Sequence, residues 1–187
     1  MIEREIKVML TEKEYIKLVT EMCKYDKPLV QINYYFDTDD LTLNKKGITC
    51  RVRYKDGSYI ATVKKHSTNN PNLSTEQNLG ESREYNPDVF NAFGLLCHGG
   101  LITERHTLYK NDSCEMVIDR NTYLEKTDFE LEIEYLDGFK DKAEKCLCDI
   151  AELLGCNKDR AKYDEFFARV QKGKTKSERF FEELIKN

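Results

Sequence analysis

Hydrophobic and polar residues alternate along much of this chain, in short runs. Successive side chains of a β-strand point to opposite faces, so a period of two marks a strand with one polar and one apolar side. Residues 1–10 set the pattern: Glu3, Glu5 and Lys7 share one face, while Ile2, Ile6 and Val8 take the other, joined by Arg4. Residues 31–37 repeat it, with Asn33, Tyr35 and Asp37 against Ile32, Tyr34 and Phe36. Residues 48–55 and 58–65 read as a hairpin about Asp56-Gly57, a strong turn signal. Arg51, Arg53 and Lys55 share a face of the first arm, Thr62 and Lys64 a face of the second. Residues 81–86 make a short strand. Residues 101–110 align Thr103, Arg105, Thr107 and Tyr109; residues 114–119 align Glu115, Val117 and Asp119; residues 128–136 align Glu130, Glu132 and Glu134.

Between these runs the period lengthens to that of a helix. Thr11 and Glu14 form a capping box ahead of Tyr15, Leu18, Val19 and Met22, and the helix should end near Tyr25, before Pro28. Pro87 opens a helix reaching His98, stopped by Gly99-Gly100. Residues 139–156 carry Ala143, Leu147, Ile150 and Leu154 at helical spacing. Residues 158–187 are helical in two pieces, broken at Lys172-Gly173-Lys174, with Phe166, Phe167, Phe180 and Phe181 on apolar faces. The polar, Asn-rich stretch 67–79, with Pro71, reads as a long loop, either partly mobile or carrying a short strand. The plan is α+β: seven or eight strands in mainly hairpin order, an antiparallel sheet or barrel at the centre, and one domain over 1–187 ending in a helical segment from about 158.

Charge sharpens this picture. Charged residues make up 34% of the 187 residues, yet the net charge is only −4, so both signs are abundant. That balance argues against a basic nucleic-acid surface and against an acidic tail. Seven cysteines, an odd number without a C-x-x-C pair, read as reduced thiols of a cytoplasmic protein. No apolar run approaches the ~20 residues that span a bilayer, so no membrane partner is expected. The three histidines are scattered.

The signs are segregated strand by strand: Glu-Glu-Lys, Arg-Arg-Lys, Thr-Lys, Thr-Arg-Thr, and Glu-Glu-Glu. Solvated faces usually mix signs, and like charges on neighbouring positions repel unless something binds them. A closed barrel with a polar bore accounts for the pattern, its cationic strands binding an anion and its carboxylate strands a hard cation beside it.

The order of motifs resembles the CYTH superfamily, the triphosphate tunnel metalloenzymes, in the form found in CYTH-domain proteins of Gram-positive bacteria. Glu3-Arg4-Glu5-Ile6-Lys7 matches its E-x-E-x-K signature. Residues 33–38 resemble its second-strand motif, Arg51-Val52-Arg53 its R-x-R, and Thr62-Val63-Lys64 its T-x-K. Residues 101–105 resemble a later arginine strand, residues 118–123 a D-x-N-x-Y turn, residues 130–134 the acidic strand, and Arg160-Ala161-Lys162-Tyr163 the late lysine segment. The resemblance spans roughly 1–170.

It implies a closed eight-stranded antiparallel barrel and a metal-dependent hydrolase of a small triphosphate: inorganic tripolyphosphate, thiamine triphosphate or a nucleoside triphosphate. Lys7, Arg51, Arg53, Lys64, Arg105 and Lys162 would bind phosphate, with Lys64 also the candidate proton acceptor. Glu3, Glu5, Glu132 and Glu134, then Glu130 and Asp119, would hold Mg²⁺ or Mn²⁺, since oxygen-only carboxylate sets suit hard cations. The family places one further glutamate in a strand where Glu76, Glu81 and Glu84 compete; Glu84 is favoured. Glu104, Arg4 and Arg120 are expected to be outward or turn residues, and Tyr35 and Tyr123 to support packing or hydrogen bonds. The C-terminal helix is either a solvated face packed through its Phe residues or a lid on the tunnel. Two other functions fit the same barrel: an adenylate cyclase, which needs a base-recognition site, and a non-catalytic sensor of triphosphate or polyphosphate, which gains little from so many glutamates.

Overall fold

The structure is a computed structural model and describes residues 2–23, 27–67, 73–170 and 174–186. Its strands are β1 (Ile2–Leu10), β2 (Leu29–Asp37), β3 (Ile48–Lys55), β4 (Ser58–His66), β5 (Leu73–Ser82), β6 (Leu96–Lys110), β7 (Cys114–Tyr123) and β8 (Lys126–Tyr135). They close into an antiparallel barrel in the order β1-β5-β4-β3-β2-β6-β7-β8. Two meanders, β2 to β5 and β6 to β8, are joined by β1. Residues 2–4 of β1 pair with 73–75 of β5, and residues 5–10 pair with 129–134 of β8. At the β3–β4 hairpin Asp56 and Gly57 both have positive φ, 51° and 82°. Two such residues give the primed turn that matches strand twist.

The helices are α1 (Glu12–Met22), α2 (Thr42–Lys45), α3 (Asp88–Asn91), α4 (Lys140–Leu153), α5 (Arg160–Ala168) and α6 (Lys176–Lys186). Thr11 caps α1: its hydroxyl accepts from the Glu14 amide at 3.3 Å, and the Glu14 carboxylate accepts from the Thr11 amide at 2.7 Å. The helix ends at Met22; Tyr25 lies outside the described residues.

Alternation decides which side of the barrel is oily. The apolar faces of β1, β7 and β8 point outward, where Ile6, Val8, Ile118, Leu131 and Ile133 pack under Leu18, Leu147, Ile150 and Phe166 from α1, α4 and α5. Burying each such side chain is worth about 1.5–3 kcal/mol. A second outer cluster joins Phe36, Cys50 and Val52 to Phe90 of α3. The main hydrophobic cluster therefore lies outside the barrel, which leaves the bore to polar side chains. At one end α6 enters the barrel itself: Phe180 and Phe181 are buried against Tyr35, Leu101 and Tyr123.

Several boundaries differ from expectation. The stretch read as loop 67–79 plus strand 81–86 is the single strand β5, paired along β4; residues 68–72, including Pro71, lie outside the described residues. β5 escapes a hydropathy reading because both of its faces are largely polar. The helix expected to reach His98 stops at Asn91, and β6 begins at Leu96 and runs through both glycines. A register shift opposite Tyr35/Phe36 and a φ of +131° at Gly99 let β6 pass close under Phe180. The segment read as a D-x-N-x-Y turn is the straight second half of β7.

Candidate active site

The bore narrows to a cavity of about 80 Å³ lined almost wholly by ionisable side chains. A water needs about 10–15 Å³ of such space, so the cavity suits a few waters or a slender polyanion. Strand alternation places Glu3, Glu5 and Lys7 from β1, Arg51 and Arg53 from β3, Lys64 from β4, Arg105 from β6, and Glu132 and Glu134 from β8 along its wall.

Most of these charges are tied to one another. The Lys64 ammonium donates to Glu3 at 2.8 Å, and Ser74 supports the same carboxylate. Burial pushes the Glu3 pKa up, but Lys64 and Arg51 overcome it and the value is lowered. Arg51 donates to Glu76 at 2.8 Å and to the Thr62 hydroxyl at 3.1 Å. Arg105 donates to both oxygens of Asp119 at 2.8 and 2.6 Å, and to Glu132 at 2.6 Å. Lys7 lies 3.1 Å from Glu132 and within 3.8 Å of Glu5 and Glu130. Burial works against the Lys7 ammonium, yet Glu132, Glu130 and Glu5 raise its pKa above the ordinary lysine range.

Arg53 is the exception. Its side chain donates to the Asn33 carbonyl at 2.8 Å, and among the described residues no carboxylate lies within ion-pair distance of it. Burial, with Arg51 beside it, lowers its pKa to about 10. Tyr35 is a second polar group without an obvious partner: it is 1% exposed, lines the cavity, and its hydroxyl meets no hydrogen-bond partner among the described residues.

Two carboxylate clusters have oxygens close enough to share one cation. Glu5, Glu132 and Glu134 border the cavity; Asp119, Glu130 and Glu132 lie deeper. In the first, burial and the nearby Glu132 raise the Glu134 pKa despite Arg105. That is the signature of negative charges in want of a cation. Three carboxylates and no soft donor fit a hard divalent ion such as Mg²⁺ or Mn²⁺. The deeper cluster already has its cation. Lys176 of α6 lies 2.9 Å from both Asp119 and Glu132, and pairs with Glu130. Arg179 follows, 3.0 Å from Glu130 and 2.8 Å from Asp128. Burial would raise the pKa values of Glu130 and Glu132, but Lys176 and Lys7 hold both well below the usual carboxylate range.

The expected residues thus sort by place. Glu3, Glu5, Lys7, Arg51, Arg53, Lys64, Arg105, Glu132 and Glu134 line one cavity. Asp119 and Glu130 sit behind it, fully buried. Glu76, not the favoured Glu84, is the β5 carboxylate in the bore; Glu81 and Glu84 are exposed, and Glu84 falls beyond the strand. Lys162 does not reach the site. It is exposed on α5, outside the barrel, because α5 packs on the outer face through Phe166. The late cations in the bore are Lys176 and Arg179, which the sequence reading missed. One signal was available: they share a helical face with the buried Phe180, an odd companion for two solvated cations. Arg4 and Arg120 face outward as expected, paired with Asp137 and Glu104. Tyr123 donates to Asp128 at 2.7 Å.

A closed antiparallel barrel with an oily exterior and a bore of facing arginine and glutamate walls defines the class: a charged-tunnel protein. The chain belongs to the CYTH domain family, which it matches over residues 1–163. It is 30% identical over 156 residues to the Bacillus subtilis protein named "Putative triphosphatase YjbK", covering 73% of this chain and 78% of that one. In fold it resembles a Bacillus halodurans protein described as a "putative adenylate cyclase", with a TM-score of 0.68 at 22% identity, over 96% of this chain and 97% of that one. It also resembles a Hippeastrum protein described as a "putative adenylyl cyclase" with a dominant triphosphatase activity, with a TM-score of 0.57 at 18% identity, over 80% and 87% of the two chains. Among the described residues no helix is long and apolar enough to cross a membrane.

Proposed function

We propose that this chain hydrolyses a small triphosphate compound with the help of a divalent cation, Mg²⁺ or Mn²⁺. The observation that carries the reading is Arg53, a cation held inside a barrel with no carboxylate in ion-pair distance among the described residues, next to Arg51 and across a narrow cavity from Glu5, Glu132 and Glu134. A half-buried charge in that position is costly to leave without a counter-charge. A linear polyphosphate has the needed charge and shape, and the names of YjbK and of the Hippeastrum protein point the same way.

The residues divide the task. Arg51 and Arg53 offer planar forks that match phosphate oxygens, while Arg105, Lys7 and Lys64 add charge along the chain. Glu5, Glu132 and Glu134, with Glu3 beside them, would hold the divalent cation, which supplies charge neutralisation at the phosphate and acidifies water. Water then attacks the terminal phosphorus, the anhydride P–O bond breaks, and the departing phosphate keeps the bonding pair. The proton lost by the water goes to solvent; Lys64, the expected acceptor, is an ammonium donating to Glu3 and has no lone pair to take it. Phosphoryl transfer of this kind asks mainly for positioning and charge stabilisation, which is what two rigid walls of fixed charge provide.

Orthophosphate release from tripolyphosphate, thiamine triphosphate and ATP, with and without Mg²⁺ or Mn²⁺, tests the reading. Metal-dependent release from at least one is expected. Binding without turnover of any would make the protein a sensor. Pyrophosphate and cyclic AMP from ATP would make it a cyclase.

A further inference from the structure

The bore has a blind end, formed by α6. Thr175, Lys176 and Ser177 line the cavity, and behind them Phe180 and Phe181 are sealed against Tyr35, Leu101 and Tyr123. The Ser177 hydroxyl lies 2.7 Å from that of Thr49, which fixes the head of the helix to β3. On the other side, Glu3 and Glu134 stand between the cavity and a hollow of about 180 Å³ at the barrel rim, and among the described residues no helix closes it.

The blind end is suited to an anion. Thr175 and Glu178 form a capping box, each backbone amide donating to the other's side chain, at 2.7 and 3.2 Å. The two amides between them, at Lys176 and Ser177, have no intrahelical acceptor by helix geometry. They stand at the positive end of the helix dipole. A second, independent feature points to a ligand in the same place. The Tyr35 hydroxyl, 1% exposed, lines this cavity and has no partner among the described residues. Buried hydroxyls are normally satisfied, and a phosphoryl oxygen at the helix head would accept its hydrogen bond.

We propose that the first turn of α6, with the Tyr35 hydroxyl, is an end-stop that receives a free terminal phosphoryl group. The site then takes triphosphates with at least one unsubstituted end and rejects those esterified at both. A substituent on the far end trails toward the rim, whereas one on the near end meets a wall of Phe180 and Phe181. This inference rests on the triphosphate reading and adds a polarity to it.

Calorimetric titration of the full chain in Ca²⁺, used in place of Mg²⁺ to slow turnover, separates the two. Tripolyphosphate and ATP should bind, and diadenosine triphosphate should bind about 100-fold more weakly than ATP, the loss expected for two charge-assisted hydrogen bonds. If all three bind and the diadenosine compound stays within about threefold of ATP, a gap too small for one such bond, the end-stop is overturned and the triphosphate site stands. Binding of none overturns both. A backbone variant adds a second measurement. Proline is tolerated in the first turn of a helix and removes one amide, while alanine removes only the hydroxyl's contacts with Thr49 and Thr175. Ser177→Pro should bind tripolyphosphate about tenfold more weakly than Ser177→Ala at a similar melting temperature. Equal affinities would take the α6 amides out of the site. Should Ser177→Pro melt early, the three-ligand comparison on the native chain decides.

Discussion

Arg53 and Arg51 are two residues apart on one strand face, yet the protein treats them differently. Arg51 is neutralised by Glu76 and held by Thr62, so it contributes to folding even without ligand. Arg53 donates to the neutral Asn33 and has no ion-pair partner among the described residues; burial beside Arg51 outweighs the more distant Glu76 and lowers its pKa to about 10. Arg53→Ala relieves that repulsion but leaves the buried Asn33 carbonyl short of a donor, opposing effects of about 1 kcal/mol each. We therefore expect little change in unfolding free energy, and triphosphate binding weaker by about 10- to 100-fold, the worth of a hydrogen bond to a charged group. Denaturant unfolding and titration on the same variant check both halves, and a large stability loss with intact binding would remove Arg53 from the ligand site. Arg53 was legible because a strand's period of two fixes a face from local sequence alone. Lys162 and Lys176 show where that stops: which lysine reaches the bore depends on how a late helix packs, and the one local signal, Lys176 and Arg179 on the helical face of Phe180, does not say where that face docks. Matching motifs by order chose the wrong one.

The elements repeat this lesson. Strands that separate a charged face from an apolar one, β1, β3 and β8, were readable to within a residue or two. β5 was not, since both its faces are largely polar, and β6 was cut short by a glycine pair that looked like a helix stop. Gly99 has a different reason to be glycine: its φ is +131°, and a Cβ there would lie 3.1 Å from the Phe180 ring. Holding a non-glycine residue in such a region costs about 1–3 kcal/mol, and the ring must also shift. Gly99→Ala is thus expected to loosen α6 before it opens the barrel. In hydrogen exchange, amides of α6 (Lys176–Lys186) should lose protection while those of β7 and β8 keep theirs. Uniform loss across the chain would mean that α6 is no separable unit.

For the molecule as a whole, the bore inverts the usual economy of a core. Its apolar packing lies largely on the outside, and buried ion pairs fill the inside, where desolvation costs several kcal/mol per ion and only tight pairing offsets it. Stability should therefore follow pH. Glu130 and Glu132 have folded pKa values held below the ordinary 4.5 by Lys176 and Lys7 against the pull of burial. Their contribution is fully present above about pH 4.5 and is lost as pH falls toward the depressed folded values. Glu134 acts the other way: burial and Glu132 raise its pKa, so its protonated form favours the fold in acid. Glu3 is lowered too, the pull of burial being outweighed by Lys64 and Arg51, so three depressed carboxylates of the bore against one raised leave a net loss below pH 4.5. At the alkaline side Lys7 and Lys176, raised by the same carboxylates, hold their contribution through the ordinary lysine value of 10.5 and lose it only above that. Unfolding free energies from denaturant titration should be flat from about pH 7 to 9, ease downward below about pH 6.5, where burial and Lys64 lower the pKa of His66 in the fold, and fall steeply toward pH 3. Salt separates this from surface effects, because buried pairs are screened far less than exposed ones: 1 M NaCl at pH 7 should leave most of the stability that acid removes. A loss in salt as large as the loss in acid would place the governing charges on the surface instead of in the bore.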